Sequence, residues 1–194
     1  MNYLAHIYLS GENDEIKIGN FIADSVKGKK IINFPEGIRN GIILHRAIDS
    51  YTDVHLLFRK SSTRLFPQYR HYSPVIVDVF YDHYLAANWS RYCDTPLKEY
   101  VEEFYSLLKR NHELLPNNVK MFLPYMLRDN WLVSYASIEG ISKILSQMNQ
   151  RTKNKSKMDL AVKELELYYE DFEKEFFLFF DDLKQFSSNR ILDL

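Results

Sequence analysis

Apolar residues recur at three- and four-residue steps along almost the whole chain, while period-two alternation bounded by turn residues is scarce. That periodicity excludes a sheet-built core and predicts an all-α fold. The length, 194 residues, suits one domain with a real core, so the expected architecture is a single-domain helical bundle over residues 1–194. Fourteen Tyr and 13 Phe give the helices large faces from which to build that core.

Capping and breaking residues set the expected helix limits. The first helix runs from about Asn2 to Leu9 and is broken by Gly11, and Asn13 or Asp14 caps a second that continues to about Val26 and stops at Gly28. Pro35 suits the first turn of a helix running to about Tyr51. Further patterns cover Val54 to Phe66, Pro74 to Asn88, Leu97 to Leu115, Asn118 to Arg128 and Leu132 to Met148. The polar, basic stretch from Asn149 to Met158 reads as a mobile loop. A last helix, about 157–186, carries YYEDFEKEFFLFFDDL and should pack over the core, with partner binding as the other use of its aromatics.

A net charge of −1 gives no overall field toward nucleic acid, and no stretch has the length and composition of a membrane helix or a signal segment. Cys93 is the one cysteine, which rules out an intramolecular disulfide and any cysteine metal cluster and fits the cytoplasm. There is no GxSxG, P-loop, GxGxxG or CxxC, so serine hydrolysis, nucleotide-triphosphate binding and dinucleotide binding have no support.

The informative residues are polar ones on apolar helices. SPVIVDVFYDHYLAANW places Asp78, Asp82 and His83 on one segment, and GIILHRAIDSYTD sets His45, Asp49 and Asp53 at successive i, i+4 steps. His6 and Asp24 belong to the same first 83 residues, and Asp24 sits in the last turn of its helix, where an anion opposes the helix dipole and needs a partner in space. Burying a carboxylate is strongly unfavourable unless it is paired, hydrogen-bonded or bound to a metal. Taken singly, His6 is a satisfied core histidine, and Asp49 and Asp53 are structural partners of Arg46 and Arg39. Taken together, imidazoles and carboxylates from several helices point to a divalent-metal site, with an oxygen-rich set leaning to manganese or magnesium.

The blocks MNYLAHIYLS, IGNFIADSVKG, GIILHRAIDSYTD and VIVDVFYDHYLAANW resemble the signature of the acyl carrier protein phosphodiesterase family, over about residues 1–90 by motif. That family is related to the HD-domain metal phosphohydrolases, so the resemblance implies an HD-domain-like bundle; a conventional HD protein has histidine followed by aspartate, whereas here Asp82 precedes His83. It implies hydrolysis of the phosphodiester joining 4′-phosphopantetheine to a serine of holo acyl carrier protein, with a divalent metal, typically Mn2+, or else Mg2+. Such a reaction needs water of lowered pKa, positive charge on the non-bridging oxygens and an acid for the leaving alkoxide. On this reading Asp24, His45, Asp78 and Asp82 hold the metal or orient its water, and His83 is a ligand or the general acid. His6 and Asp49 fix ligand orientation, and Arg46 and Lys27 meet the phosphate. The carrier is an acidic helical protein, which the basic residues Lys27, Lys29, Lys30, Arg39, Arg59, Lys60, Arg64 and Arg70 would meet. Two other readings share these residues: a metal phosphohydrolase of a nucleotide or other small phosphoester, and a non-catalytic helical module that binds an acidic protein.

Overall fold

The computed structural model describes residues 2–194, and among them every regular element is helical. Two short helices open the chain, α1 (Tyr3–Tyr8) and α2 (Asp14–Ile22). Asn13 caps α2 by accepting from the Glu15 and Ile16 amides, and Asp14 and Glu15 add negative charge to its first turn. Instead of running on to Val26, α2 tightens into a 3-10 turn, Ala23–Ser25, which carries Asp24 clear of the helix.

A second 3-10 stretch, Gly28–Asn33, leads into α3 (Glu36–Val54), then α4 (Leu56–Tyr69) and α5 (Ser73–Ala87). Of the 15 residues in α5, 11 are buried, so this helix runs through the middle of the molecule. The remainder comprises α6 (Leu97–Arg110), α7 (Asn117–Arg128), α8 (Trp131–Ser134), α9 (Ile138–Arg151), α10 (Val162–Leu167) and α11 (Tyr169–Leu192).

The expected cover helix is present as α11 and does pack on the core. Phe172, Phe176, Phe179, Phe180 and Leu183 are fully buried, and the Phe176 and Phe180 rings stack 5.0 Å apart. Burial of each such side chain stabilises by roughly 1.5–3 kcal/mol. One carboxylate lies on this apolar face, Glu175, and it receives both Arg64 nitrogens at 2.8 and 2.7 Å together with the Ser61 hydroxyl.

The helix drawn from Leu97 to Leu115 ends as an α-helix at Arg110 and gives way to a 3-10 turn, His112–Leu114, and two others are each divided into two α-helices. The one drawn from Leu132 to Met148 breaks after Ser134, because the Ser137 hydroxyl accepts from the Gly140 amide and restarts the chain as α9. The one drawn over 157–186 is interrupted at Tyr168 between α10 and α11, and α11 extends to Leu192. The stretch expected to be a mobile loop is a tied corner. Asn149 and Ser156 are buried, Asn149 Nδ2 donates to Asp159 at 2.7 Å, and Ser156 Oγ donates to Asn149 Oδ1 at 2.9 Å. Its lysines point outward while its amides and hydroxyls bond one another, a pattern that composition alone does not reveal.

Candidate metal centre

The centre is assembled where α2 and α3 cross. Gly19 and Gly41 face each other there, and a methyl group on Gly19 would collide with the Ile38 carbonyl while one on Gly41 would collide with the Ile16 carbonyl. Both helices use the missing side chains to approach backbone to backbone. Asn20, beside Gly19, then reaches His45, one turn beyond Gly41.

The Asn20 side chain is fully buried and orders two helices at once. Its Nδ2 donates to the His6 carbonyl and to Ser10 Oγ, both at 2.9 Å, which leaves Oδ1 to accept from His45 Nδ1 at 3.1 Å. The His45 proton on Nδ1 is thereby fixed, and Nε2 is turned toward the carboxylates. The His6 and His45 rings stack 3.9 Å apart, so imidazoles from α1 and α3 lie side by side.

Asp49, one turn after His45, lies between the two rings, with Oδ1 3.2 Å from His6 Nε2 and Oδ2 3.1 Å from His45 Nε2. Asp24 approaches from the solvent side, 3.3 Å from His45 Nε2, with its side chain 77% exposed. Despite these separations, His6 Nδ1, His6 Nε2 and His45 Nε2 are buried without an aligned hydrogen bond. Ligand atoms of His6, His45 and Asp49 all lie within 4.8 Å of one another. Buried nitrogens that sit close to carboxylates but do not bond them, in a compact N/N/O set, fit a divalent cation.

The electrostatics follow from the packing. Burial pulls His45 down, but Asp24 and Asp49 outweigh it and lift the imidazole to about 9. Burial and the neighbouring His45 charge lower His6 to about 4, so at neutral pH it is an uncharged donor of a lone pair. Burial pushes Asp49 up, yet the two imidazoles hold it well below the usual carboxylate range, and Asp24 is lowered chiefly by its contact with His45. The cluster without an ion is therefore a histidine cation between carboxylates, whose proton a metal would displace.

Of the residues marked out in the sequence, His6, Asp24, His45 and Asp49 come together, and the expected orienting residues His6 and Asp49 stand in the middle. The α5 residues are placed elsewhere. Asp82 is fully buried and accepts from the Leu4 amide at 2.8 Å and the Ala5 amide at 3.3 Å, so its oxygens hold the start of α1. His83 Nδ1 bonds the Tyr135 carbonyl at 2.7 Å and Nε2 the Tyr169 hydroxyl at 3.0 Å, so both nitrogens have partners outside this cluster. Asp78 lies between: partly buried, its carboxyl raised by burial, it lines a cleft of about 260 Å3 that Asp24 also lines.

Among the expected cations, Arg46 donates to the Val26 carbonyl at 3.1 Å beside the Asp24 turn, and Lys27 is exposed on the same stretch. Neither Arg46 nor Arg39 takes up the structural pairing with Asp49 and Asp53 considered above, since Arg39 bonds the Phe34 carbonyl at 3.0 Å and Asp53 is exposed. Arg64 is committed to Glu175, which Lys60 also approaches at 3.1 Å, whereas Lys29 and Lys30 are exposed next to Lys27. Asn20 was not marked out in the sequence; its signal was an amide beside a glycine on an apolar helix. No helix among the described residues is long and apolar enough to cross a membrane.

Comparison with known proteins agrees with the motif resemblance. The profile of the family described as acyl carrier protein phosphodiesterase matches residues 1–183. The chain is 30% identical over 193 residues to the acyl carrier protein phosphodiesterase of Pectobacterium atrosepticum, covering 99% of this chain and 100% of the relative. The proteins of that name from Photorhabdus laumondii and Escherichia coli are 28% and 29% identical, over 98% and 99% of this chain and 96% and 100% of their own. No solved structure matches the chain.

Proposed function

The chain belongs to the acyl carrier protein phosphodiesterase family, and on that premise we propose that it removes 4′-phosphopantetheine from the serine of holo acyl carrier protein by metal-dependent hydrolysis in the cytoplasm. The observation that carries the metal reading is the set of buried, unaligned imidazole nitrogens of His6 and His45 around Asp49. His6, His45 and Asp49 hold the ion, with Asp24 completing the set from the solvent side; manganese fits its mixed nitrogen and oxygen character, and magnesium is the alternative. Such an ion supplies positive charge for the phosphoryl oxygens and lowers the pKa of water.

The rest of the chemistry falls to side chains around the ion. Asn20 keeps His45 Nδ1 protonated so that Nε2 faces the centre, and Asp49 fixes the spacing of the two rings. Asp24 and Asp78 line one cleft in environments that push their carboxyls in opposite directions, Asp24 down and Asp78 up. Asp78, whose carboxyl burial holds toward the protonated form, lines that cleft as the donor to the leaving alkoxide of the carrier serine. Arg46 and Lys27 add positive charge beside the Asp24 turn, and the exposed Lys27, Lys29 and Lys30 face an acidic carrier.

The test is mass spectrometry of holo carrier protein incubated with the enzyme and manganese. The expected product is apo carrier protein with free phosphopantetheine. An unchanged carrier mass with manganese and with magnesium, in protein that contains bound metal, would overturn the assignment.

A further inference from the structure

We propose that the cleft beside the metal centre binds the phosphopantetheine group itself, with Arg151 meeting the phosphoryl charge and one stripe of α9 meeting the pantetheine arm. This rests on the function proposed above and adds a subsite to it. Ile144, Gln147, Met148 and Arg151 stand at i, i+3, i+4 and i+7 on α9 and all line the cleft. The buried residues of the same helix, Ile141 and Leu145, anchor it to the core. Ile144, Gln147 and Met148 are only half-buried, so this stripe packs partly on the core and stays partly open to the cleft.

Two features select the occupant. The cleft shares Asp24 with the metal centre, so a chain lying in it ends where the phosphodiester would be cut. Its volume, about 260 Å3, falls below the roughly 300–1,000 Å3 of pockets that enclose drug-sized ligands, which favours a slender arm over a protein segment. The lining alternates in kind as such an arm does: aliphatic Ile144 and Met148 suit its methyl-bearing carbons, and the Gln147 amide can pair with its amides. Tyr3, Asp24 and Arg151 all line this cleft, so the guanidinium and the carboxylate of the centre share it. Arg151 is exposed at the end of α9, and a guanidinium there matches two phosphoryl oxygens at once.

The experiment is calorimetric titration of the metal-loaded protein with free 4′-phosphopantetheine and, separately, with inorganic phosphate, in wild type, Ile144→Trp and Arg151→Glu. Ile144→Trp fills the arm region and should weaken phosphopantetheine by on the order of tenfold or more while leaving phosphate binding unchanged; Arg151→Glu should weaken both. Metal content and thermal unfolding, measured alongside, should match wild type. Equal phosphopantetheine affinity in wild type and both variants would overturn the subsite, and so would loss of affinity only in a variant that has also lost metal or fold. The two failures separate cleanly: unimpaired removal of phosphopantetheine from holo carrier protein by Ile144→Trp overturns the cleft alone, whereas a wild type that neither binds phosphopantetheine nor alters holo carrier protein overturns the function with it.

Discussion

The α1–α3 cluster and the polar pair on α5 look alike in sequence, and the structure uses them in opposite ways. Both set histidine and aspartate among apolar residues on a buried helix. On α5 each polar atom finds a neutral partner: Asp82 takes two backbone amides and His83 a carbonyl and a hydroxyl. In the cluster His45 Nδ1 has a neutral partner in Asn20, but His6 Nε2 and His45 Nε2 approach titratable carboxylates without an aligned bond. A polar group whose bonds are closed by backbone stabilises a fold, whereas one whose neighbours are all charged and unaligned leaves room for a ligand.

The sharpest way to break that comparison is to remove a member of each set. His45→Ala should abolish stoichiometric metal and lower phosphodiesterase turnover by at least about a hundredfold, since even supporting partners of metal ligands are worth 10- to 100-fold. Without metal it should also unfold more readily, because Asn20 Oδ1 loses its donor and Asp24 and Asp49 lose the imidazolium beside them. Metal analysis and a carrier-protein mass assay read both quantities, and a variant with full metal content would place the ion elsewhere.

The mirror experiment is Asp82→Ala. Two buried amides lose their acceptor, and a loss of about 2–3 kcal/mol in urea unfolding is expected. Metal content per folded molecule should survive. Loss of metal from folded protein would mean that Asp82 belongs with the ligands after all.

The pH dependence sharpens the contrast further. Burial pushes Asp82 up to about 7, so the folded state holds a proton that the unfolded chain releases near the ordinary carboxylate value. Stability attributable to this group should fall as pH rises between about 4 and about 7, by at most ~1.4 kcal/mol per unit, and then level off. Asp82→Asn should flatten that slope. Glu175 has the opposite sign: burial opposes ionisation, but Arg64, Ser61 and Lys60 hold its carboxyl below the usual range, so its contribution is present near neutrality and lost as pH falls through the acid range. Unfolding free energies measured from pH 4 to pH 8 in wild type and Asp82→Asn would reveal the slope or its absence.

The smallest effect is expected at His83. Replacing it with Phe leaves the Tyr135 carbonyl and the Tyr169 hydroxyl unpaired and should cost about 1–2 kcal/mol, with turnover within a few-fold of wild type. A collapse of kcat at preserved stability would instead assign it a chemical role.

How far the sequence disclosed this arrangement depends on which bonds are local. Periodicity located α5 to within a residue at each end, because a helix is written in its own apolar spacing. It misjudged the segments at Ser137 and Tyr168, where one cap and one residue with non-helical dihedrals interrupt a continuous pattern. The histidines at 6 and 45 and the acids at 24 and 49 were visible as residues out of place. Their grouping was not, since whether Asp82 faces an ion or a helix start depends on contacts 77 and 78 residues away in the chain. Asn20 escaped notice for the same reason, as an amide on a helix is unremarkable until a ring is found against it.

The paired glycines of α2 and α3 carry a consequence for anyone who would strengthen this protein. Replacing a helical glycine with alanine is a routine stabilising exchange, worth up to about 1 kcal/mol. At positions 19 and 41 the added carbon meets backbone on the facing helix, which cannot swing aside as a side chain can. The helices would have to separate, and the distance between Asn20 and His45 would widen with them. A survey of tolerated substitutions should therefore find two positions as intolerant as His45 and Asp49, although neither carries a side-chain atom that could bind, donate or accept.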